Sequence, residues 1–180
     1  MRVEALRDEH DIEKVKRYFK NHNDKRLYPL LIVGLNTGIR ISDLVKLKVK
    51  DFRNRKYLII DSEEKTEKRK EIIINQNIKD VIQEYYSEAN KDEYLFKSQK
   101  GGHICTDYAY FLIKKAFKAC KLPYNTGTHT LRKTHGKSIN EIYGIEMTQI
   151  VLGHDNQRDT LKYIGKEKEM VDKAILNLNI

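Results

Sequence analysis

At 180 residues, 39% hydrophobic and 34% charged, the chain is the size of one polar but foldable domain, and its two prolines and nine glycines argue against a long disordered linker. Lys and Arg number 35 against 26 acids, a net charge of +9 that favours a polyanionic partner. Cys105 and Cys120 stand 15 positions apart with no CxxC and no histidine at zinc spacing, no apolar run approaches a membrane span, and no signal-peptide core opens the chain, so a reduced, cytoplasmic protein without disulfide framework or zinc site is expected.

Residues 9–21 read as a helix, with Ile12, Val15, Tyr18 and Phe19 at helical spacing. Residues 25–36 hold the densest apolar run, Tyr28 to Leu35, a core helix with Pro29 in its first turn, where the missing N–H costs little. Thr37-Gly38 breaks it, and 39–47 restarts as a short helix. Tyr57 to Ile60 and Ile72 to Ile74 are β-branched-rich runs that read as the strands of a hairpin. Its charged tip holds Lys65, Lys68, Arg69 and Lys70. A helix over 77–89 follows, then a short extended stretch at Tyr94-Leu95-Phe96 before Gly101-Gly102. Residues 106–121 read as an amphipathic helix, Thr106 its cap, with Tyr110, Ile113, Phe117 and Cys120 on one face; Pro123 stops it. Thr128 is placed as the cap of a helix from His129 to about Ile142. A short helix, Met147 to Leu152, ends at Gly153, residues 157–163 lead to Tyr163, and the tail carries Met170, Val171, Ala174, Ile175 and Leu178 on one helical face. The sum is an α+β domain, mainly α-helical with a small antiparallel sheet.

The charge is segregated. Residues 108–140 contain no Asp or Glu but carry Lys114, Lys115, Lys118, Lys121, Arg132, Lys133 and Lys137, and residues 46–70 hold ten Lys and Arg against five acids. A phosphate-tracking surface needs such segregation; a merely soluble surface mixes its signs. Within this field, His129 and Arg132 share one face near a helix N-terminus, a place favourable to phosphate. Arg40 follows the Thr-Gly-Ile break and offers a planar fork for two phosphate oxygens, with Asp43 placed to orient it. Lys65 sits where a mobile lysine can donate a proton, with Lys68 a close competitor. His154 follows Leu-Gly, and Tyr163 comes nine residues later. Each alone has an ordinary reading: a helix-end histidine, a surface ion pair, a solubilising loop, a core tyrosine. Gly136-Lys137-Ser138 imitates a P-loop end, but Leu131 stands where its first glycine belongs. No acidic cluster suggests a two-metal nuclease, so neither metal nor cofactor is expected.

In order and spacing the boxes Thr37-Gly38-Ile39-Arg40-Ile41-Ser42-Asp43-Leu44, Glu64-Lys65-Thr66-Glu67-Lys68, His129-Thr130-Leu131-Arg132 and Leu152-Gly153-His154 with Tyr163 resemble those of the tyrosine recombinase, or phage integrase, catalytic domain. The resemblance spans almost the whole chain and implies that family's fold, with site-specific DNA strand transfer free of metal and nucleotide. It implies Tyr163 as nucleophile forming a 3′-phosphotyrosyl link, Arg40 and Arg132 as phosphate clamps, His129 and His154 as phosphate or proton partners, Lys65 as general acid, and Asp43 as support for Arg40. Lys68, Arg69, Lys114, Lys115, Lys118, Lys133 and Lys137 are assigned to DNA binding. Double-stranded DNA is the partner, with a tetrameric synapse on DNA, a monomer when free, and a cytoplasmic, nucleoid-associated setting in a bacterium or phage. The N-terminal core-binding domain usual in the family is not recognised in this chain, which is read as either a piece of a longer recombinase or a short one. The tail 164–180 resembles the segment that docks on a neighbouring protomer; packing in cis fits its composition equally well. Type IB topoisomerase activity and a non-cleaving DNA-binding module are the competing readings.

Overall fold

A helix apolar on every side must be surrounded, and the run Tyr28 to Leu35 is such a helix. In the computed structural model, which describes residues 3–61 and 69–178, it forms α2 (Leu27–Thr37). Leu30, Leu31 and Val33 have no exposed surface. Around it pack α1 (Glu9–Lys20), α3 (Ile41–Leu44), α4 (Gln76–Tyr86) and α6 (Thr128–Leu152). The core closes with α5 (Thr106–Ala119), where Phe117 meets Phe19 of α1 at 5.4 Å between ring centroids. The face buried on α5 is Ala109, Leu112, Ile113, Ala116 and Phe117, with Cys120 just beyond; Tyr110, expected on it, is exposed and accepts a hydrogen bond from Lys114 Nζ at 2.9 Å. Ala109, Ile113, Ala116 and Phe117 form the centre of the buried stripe, with Leu112 at its edge.

Strands β1 (Tyr57–Ile60) and β2 (Lys70–Ile73) pair antiparallel, from Tyr57 opposite Ile73 to Ile60 opposite Lys70. Alternation sends Leu58 and Ile60 into the core and leaves Tyr57 and Ile59 outside. β2 begins two residues earlier than expected from its apolar run, so Lys70 belongs to the ladder and not to the hairpin tip. The tip with Lys65 and Lys68 lies outside the described residues. The extended stretch at Tyr94 bridges Lys48, and Lys97 bridges His103 around the two glycines, with Leu95 and Phe96 buried.

Two caps differ from expectation. The extended residue before α6 is Gly127, not Thr128: Thr130 Oγ1 accepts the Gly127 N–H at 3.0 Å and donates to Glu4 O at 2.8 Å. Before α5 it is Cys105, without a side-chain cap, and Thr106 is already helical. The restart after α2 is also shorter than 39–47, a single turn at Ile41–Leu44. Gly144 interrupts α6 with φ 81° and ψ −177°, which yields the two helices read from the sequence. The N-terminal segment runs beside α6, the Leu6 N–H bonding Thr134 Oγ1 at 2.9 Å. The chain finishes with α7 (Gln157–Ile164), packed on α6, and α8 (Glu167–Leu176), on which no residue is buried.

Candidate active site

Three chain breaks converge around Arg132 in the first half of α6. The first is the end of α2, where Gly38 takes a left-handed φ of 62°. A Cβ there would also stand 2.5 Å from His135 Cδ2, so both conformation and space demand glycine. The turn exposes the Gly38 carbonyl to Arg132 and sets Arg40, exposed, at the N-cap of α3. The second break is Gly153, φ 68°, which caps α6 and swings His154 back beside it. A Cβ on Gly153 would meet Lys70 Nζ at 2.9 Å, so this glycine also lets the strand lysine approach. The third is the Asn156 cap of α7, whose side chain accepts the Asp159 N–H at 2.8 Å and starts the helix that carries Tyr163.

Arg132 ties two of these breaks together. Its Nη1 donates to Gly38 O at 2.5 Å and its Nη2 to Leu152 O at 2.6 Å, and only 8% of the residue is exposed. A planar, permanently charged fork braced by two main-chain carbonyls keeps one orientation. Tyr163, half-buried, lies within this framework. His129 Nδ1 is 3.3 Å from its hydroxyl, the His154 ring centroid is 5.2 Å away, and Arg132 Cζ and Lys133 Nζ stand 5.9 and 5.2 Å from its ring centroid.

Both site histidines have pKa values below the ordinary histidine range. Burial is the main cause for His129, followed by Lys133, Arg132 and Arg40. For His154 burial again leads, then Arg132; Asp159 opposes, while Lys70 and Arg40 lower it further. Both imidazoles are therefore neutral at pH 7. The Thr160 hydroxyl donates to Asn156 O at 3.0 Å and so accepts from His154 Nδ1 at 3.1 Å. Neutral His154 thus carries its proton on Nδ1 and a lone pair on Nε2. His129 has the opposite use for Nδ1, facing a hydroxyl that can give it a proton. Two neutral bases, a phenol and fixed cations can take a proton from the phenol and stabilise an anionic phosphorus centre.

Of the residues singled out in the sequence, Arg132, His129, His154 and Tyr163 come together, and Arg40 is near enough to depress both histidines. The Asp43 N–H bonds the Arg40 carbonyl at 3.1 Å, holding the turn. Lys65 and Lys68 lie outside the described residues. Arg69, Lys114, Lys115 and Lys118 are exposed. Two lysines assigned to DNA from the sequence have partners within the fold: Lys133 is 6% exposed, beside Tyr163, and Lys137 bonds the Arg7 carbonyl and pairs with Glu141 at 3.7 Å. On a helix, position 133 follows Arg132 toward α7 and position 137 turns toward the N-terminal segment; basic composition alone does not separate these faces. Sequence reading assigned Lys133 to DNA and not to the neighbourhood of Tyr163, and it passed over two residues: Lys70 beside Gly153, and His135, whose Nδ1 donates to Leu35 O at 2.8 Å behind Gly38. The signal for His135 was its place in the continuing string Arg132-Lys133-Thr134-His135. Among the described residues no group of three His, Cys, Asp or Glu could hold a metal ion, and no helix is long and apolar enough to cross a membrane.

A mainly helical domain with one hairpin, bringing a tyrosine, two histidines and braced arginine to the end of a long helix, has the architecture of a tyrosine recombinase catalytic domain. Solved structures share it: XerA recombinase superposes with a TM-score of 0.75 at 21% identity, over 97% of this chain and 66% of that one. A lambda integrase dimer bound to a COC' core site gives 0.72 at 17%, over 92% and 49%. The Phage integrase family model matches residues 7–170, and the chain belongs to that family. It is 38% identical over 174 residues to the probable integrase/recombinase YoeC of Bacillus subtilis (strain 168), covering 96% of this chain and 94% of YoeC. The tyrosine recombinase XerC of Caldanaerobacter subterraneus subsp. tengcongensis is 28% identical over 160 residues, which are 84% of this chain and 44% of XerC. The chain thus spans nearly all of YoeC but less than half of that XerC. These likenesses make it a DNA strand-transferring recombinase and favour site-specific recombination over relaxation of supercoils.

Proposed function

We propose that this chain performs site-specific DNA recombination by transesterification through Tyr163. The hydroxyl of Tyr163 attacks the scissile phosphorus while its proton passes to His129. The bond to the 5′ oxygen breaks, that oxygen takes a proton from Lys65, and a 3′-phosphotyrosyl link remains. The 5′-hydroxyl of a second strand then attacks the same phosphorus and expels the tyrosine, so the phosphodiester bond energy is kept and no nucleotide is consumed. Arg40 and Arg132 hold the non-bridging oxygens, His154 contributes Nε2, and Asp43 supports Arg40. Lys68, Arg69, Lys114, Lys115 and Lys118 bind the duplex backbone. The observation that carries this reading is His129 Nδ1 at 3.3 Å from the Tyr163 hydroxyl, beside the carbonyl-braced Arg132.

The partner is double-stranded DNA on the nucleoid in the cytoplasm, with monomers assembling on it into a tetrameric synapse. Support for assembly comes from α8, which exposes Met170, Val171, Ile175 and Leu176. A groove of about 1000 Å³ between α2, α4, β2 and α6, walled by Ile73, Tyr143 and Ile150, offers an apolar seat for the exposed apolar side chains of α8 of a neighbouring copy.

The test is incubation with a pool of nicked duplexes of randomised sequence, followed by denaturing electrophoresis. A covalent protein–DNA adduct that forms in EDTA and disappears in Tyr163→Phe is expected. An adduct persisting in Tyr163→Phe would overturn the assignment.

A further inference from the structure

We infer that Thr160 is a positioning residue of the reaction: its buried hydroxyl holds the proton of His154 on Nδ1 and so commits Nε2 to accepting a proton. This deepens the proposed function and rests on its reading of His154 as a site residue beside the nucleophile Tyr163. Thr160 acts through the histidine and not on the reacting atoms.

A threonine hydroxyl has one proton to give and lone pairs with which to accept. Thr160 has no exposed surface, so its hydroxyl must be satisfied from within the fold. Two groups lie within reach: the Asn156 carbonyl at 3.0 Å and His154 Nδ1 at 3.1 Å. If the hydroxyl gave its proton to Nδ1, it would face the carbonyl oxygen at 3.0 Å with no proton between them, and its own lone pairs would meet no donor. Giving the proton to the carbonyl four residues back is the usual back-bond of a helical threonine. The lone pairs then receive the Nδ1 proton of His154, and the hydroxyl is satisfied on both sides. Donor and acceptor alternate from His154 through Thr160 to Asn156, and that order fixes the tautomer of the neutral imidazole.

The consequence lies at the other ring nitrogen. The non-bridging oxygens of a phosphodiester carry no proton, so a neutral His154 held this way has nothing to donate to them. It enters the reaction as a proton acceptor, and it bonds a phosphate oxygen only after Nε2 has gained a proton. Burial keeps it neutral beforehand, helped by Arg132 of α6, Lys70 of β2 and Arg40 before α3, with Asp159 of α7 opposing. Tyr163 of α7 meets its ring edge to face, 5.2 Å between centroids. Thr160 stands one turn before Tyr163 on α7, so the helix that carries the nucleophile also sets the proton on the neighbouring histidine. Asn156 anchors both ends of this arrangement. Its side chain accepts the Asp159 N–H at 2.8 Å and starts the helix, while its carbonyl takes the Thr160 proton.

Histidines labelled with ¹⁵N in the ring report the tautomer by NMR in the native chain at pH 8, with His154→Gln identifying the signals. One tautomer is expected, with the proton on Nδ1 and the lone pair on Nε2. Thr160→Val, close in shape but without the hydroxyl, should move most of the population to a proton on Nε2, and Thr160→Ser should keep the native state. Adduct formation on the nicked-duplex pool should fall about tenfold in Thr160→Val, because most molecules then hold the proton on the wrong nitrogen, and should return close to the native rate in Thr160→Ser. A native His154 with its proton on Nε2 overturns the inference, and this is readable even if Thr160→Val does not fold. So does an unchanged tautomer in Thr160→Val, or an adduct rate in that variant at or above the native one. The tautomer is read without DNA, so failure of the native chain to form an adduct would count against the proposed function and not against this measurement.

Discussion

Arg132 touches the ends of two different helices at once, and its worth cannot be replaced by charge alone. Lysine keeps the charge but has no planar fork to grip the Gly38 and Leu152 carbonyls together. Arg132→Lys is therefore expected to slow single-turnover cleavage by roughly 10²–10³, the typical loss of one preorganised donor; a native rate would show that the two carbonyl bonds are not needed. The histidines set the acid limb. His129, His135 and His154 all have depressed pKa values in the folded chain, with burial the first cause in each. A depressed folded pKa means that the unfolded chain binds more protons, so their contribution to stability is present above the unfolded value of about 6.5 and is lost as pH falls through the folded values. Urea unfolding should move to lower denaturant between pH 7 and pH 5, less so in a His135→Gln variant, and cleavage should fall over the same acid range as His129 and His154 take up protons.

The helix ends, more than the helices, build the site. Gly38 and Gly153 are left-handed, and a side chain at either would enter occupied space. Gly38→Ala should destabilise the chain by at least about 1 kcal/mol from backbone strain alone, before its clash with His135, and Gly153→Ala should strain the cap and displace Lys70. Urea midpoints for both variants check this, and unchanged values would remove the argument for these turns. The same ends explain what the sequence made legible. Periodicity located the helices, because amphipathic faces repeat, and Gly38, Gly144 and Gly153 fall where the breaks were read. The order of Arg40, His129, Arg132, His154 and Tyr163 pointed to one site through its likeness to a family's boxes; Arg40, His129 and His154 follow a break or begin a helix, while Arg132 and Tyr163 lie within α6 and α7. Contacts across elements left no sequence signal: Lys70 passing beside Gly153, Thr130 bridging to Glu4, and Lys133 turned inward while Lys114 stays outside. Whether a lysine on a basic helix meets water or a neighbouring ring is decided by how α7 packs on α6.

At the scale of the whole molecule, a basic surface and an unburied last helix ask for partners. DNA affinity should fall steeply with salt, because each phosphate contact releases counterions; Lys114→Ala and Lys118→Ala should each reduce the salt slope by about one, whereas Lys137→Ala, whose ammonium bonds the Arg7 carbonyl, should not. Filter binding across a salt series distinguishes them. Val171→Asp with Ile175→Asp on α8 should leave single-copy DNA binding intact and abolish larger complexes in sedimentation; complexes of unchanged size would exclude the α8 contact. All of this depends on one atom, the hydroxyl oxygen of Tyr163. Protease digestion of the trapped adduct, with mass spectrometry of the nucleotide-linked peptide, locates the attachment directly. A single link is expected, from Tyr163 to a 3′ phosphate. A link on any other residue, such as Tyr143 or a serine, or to a 5′ phosphate, would contradict it.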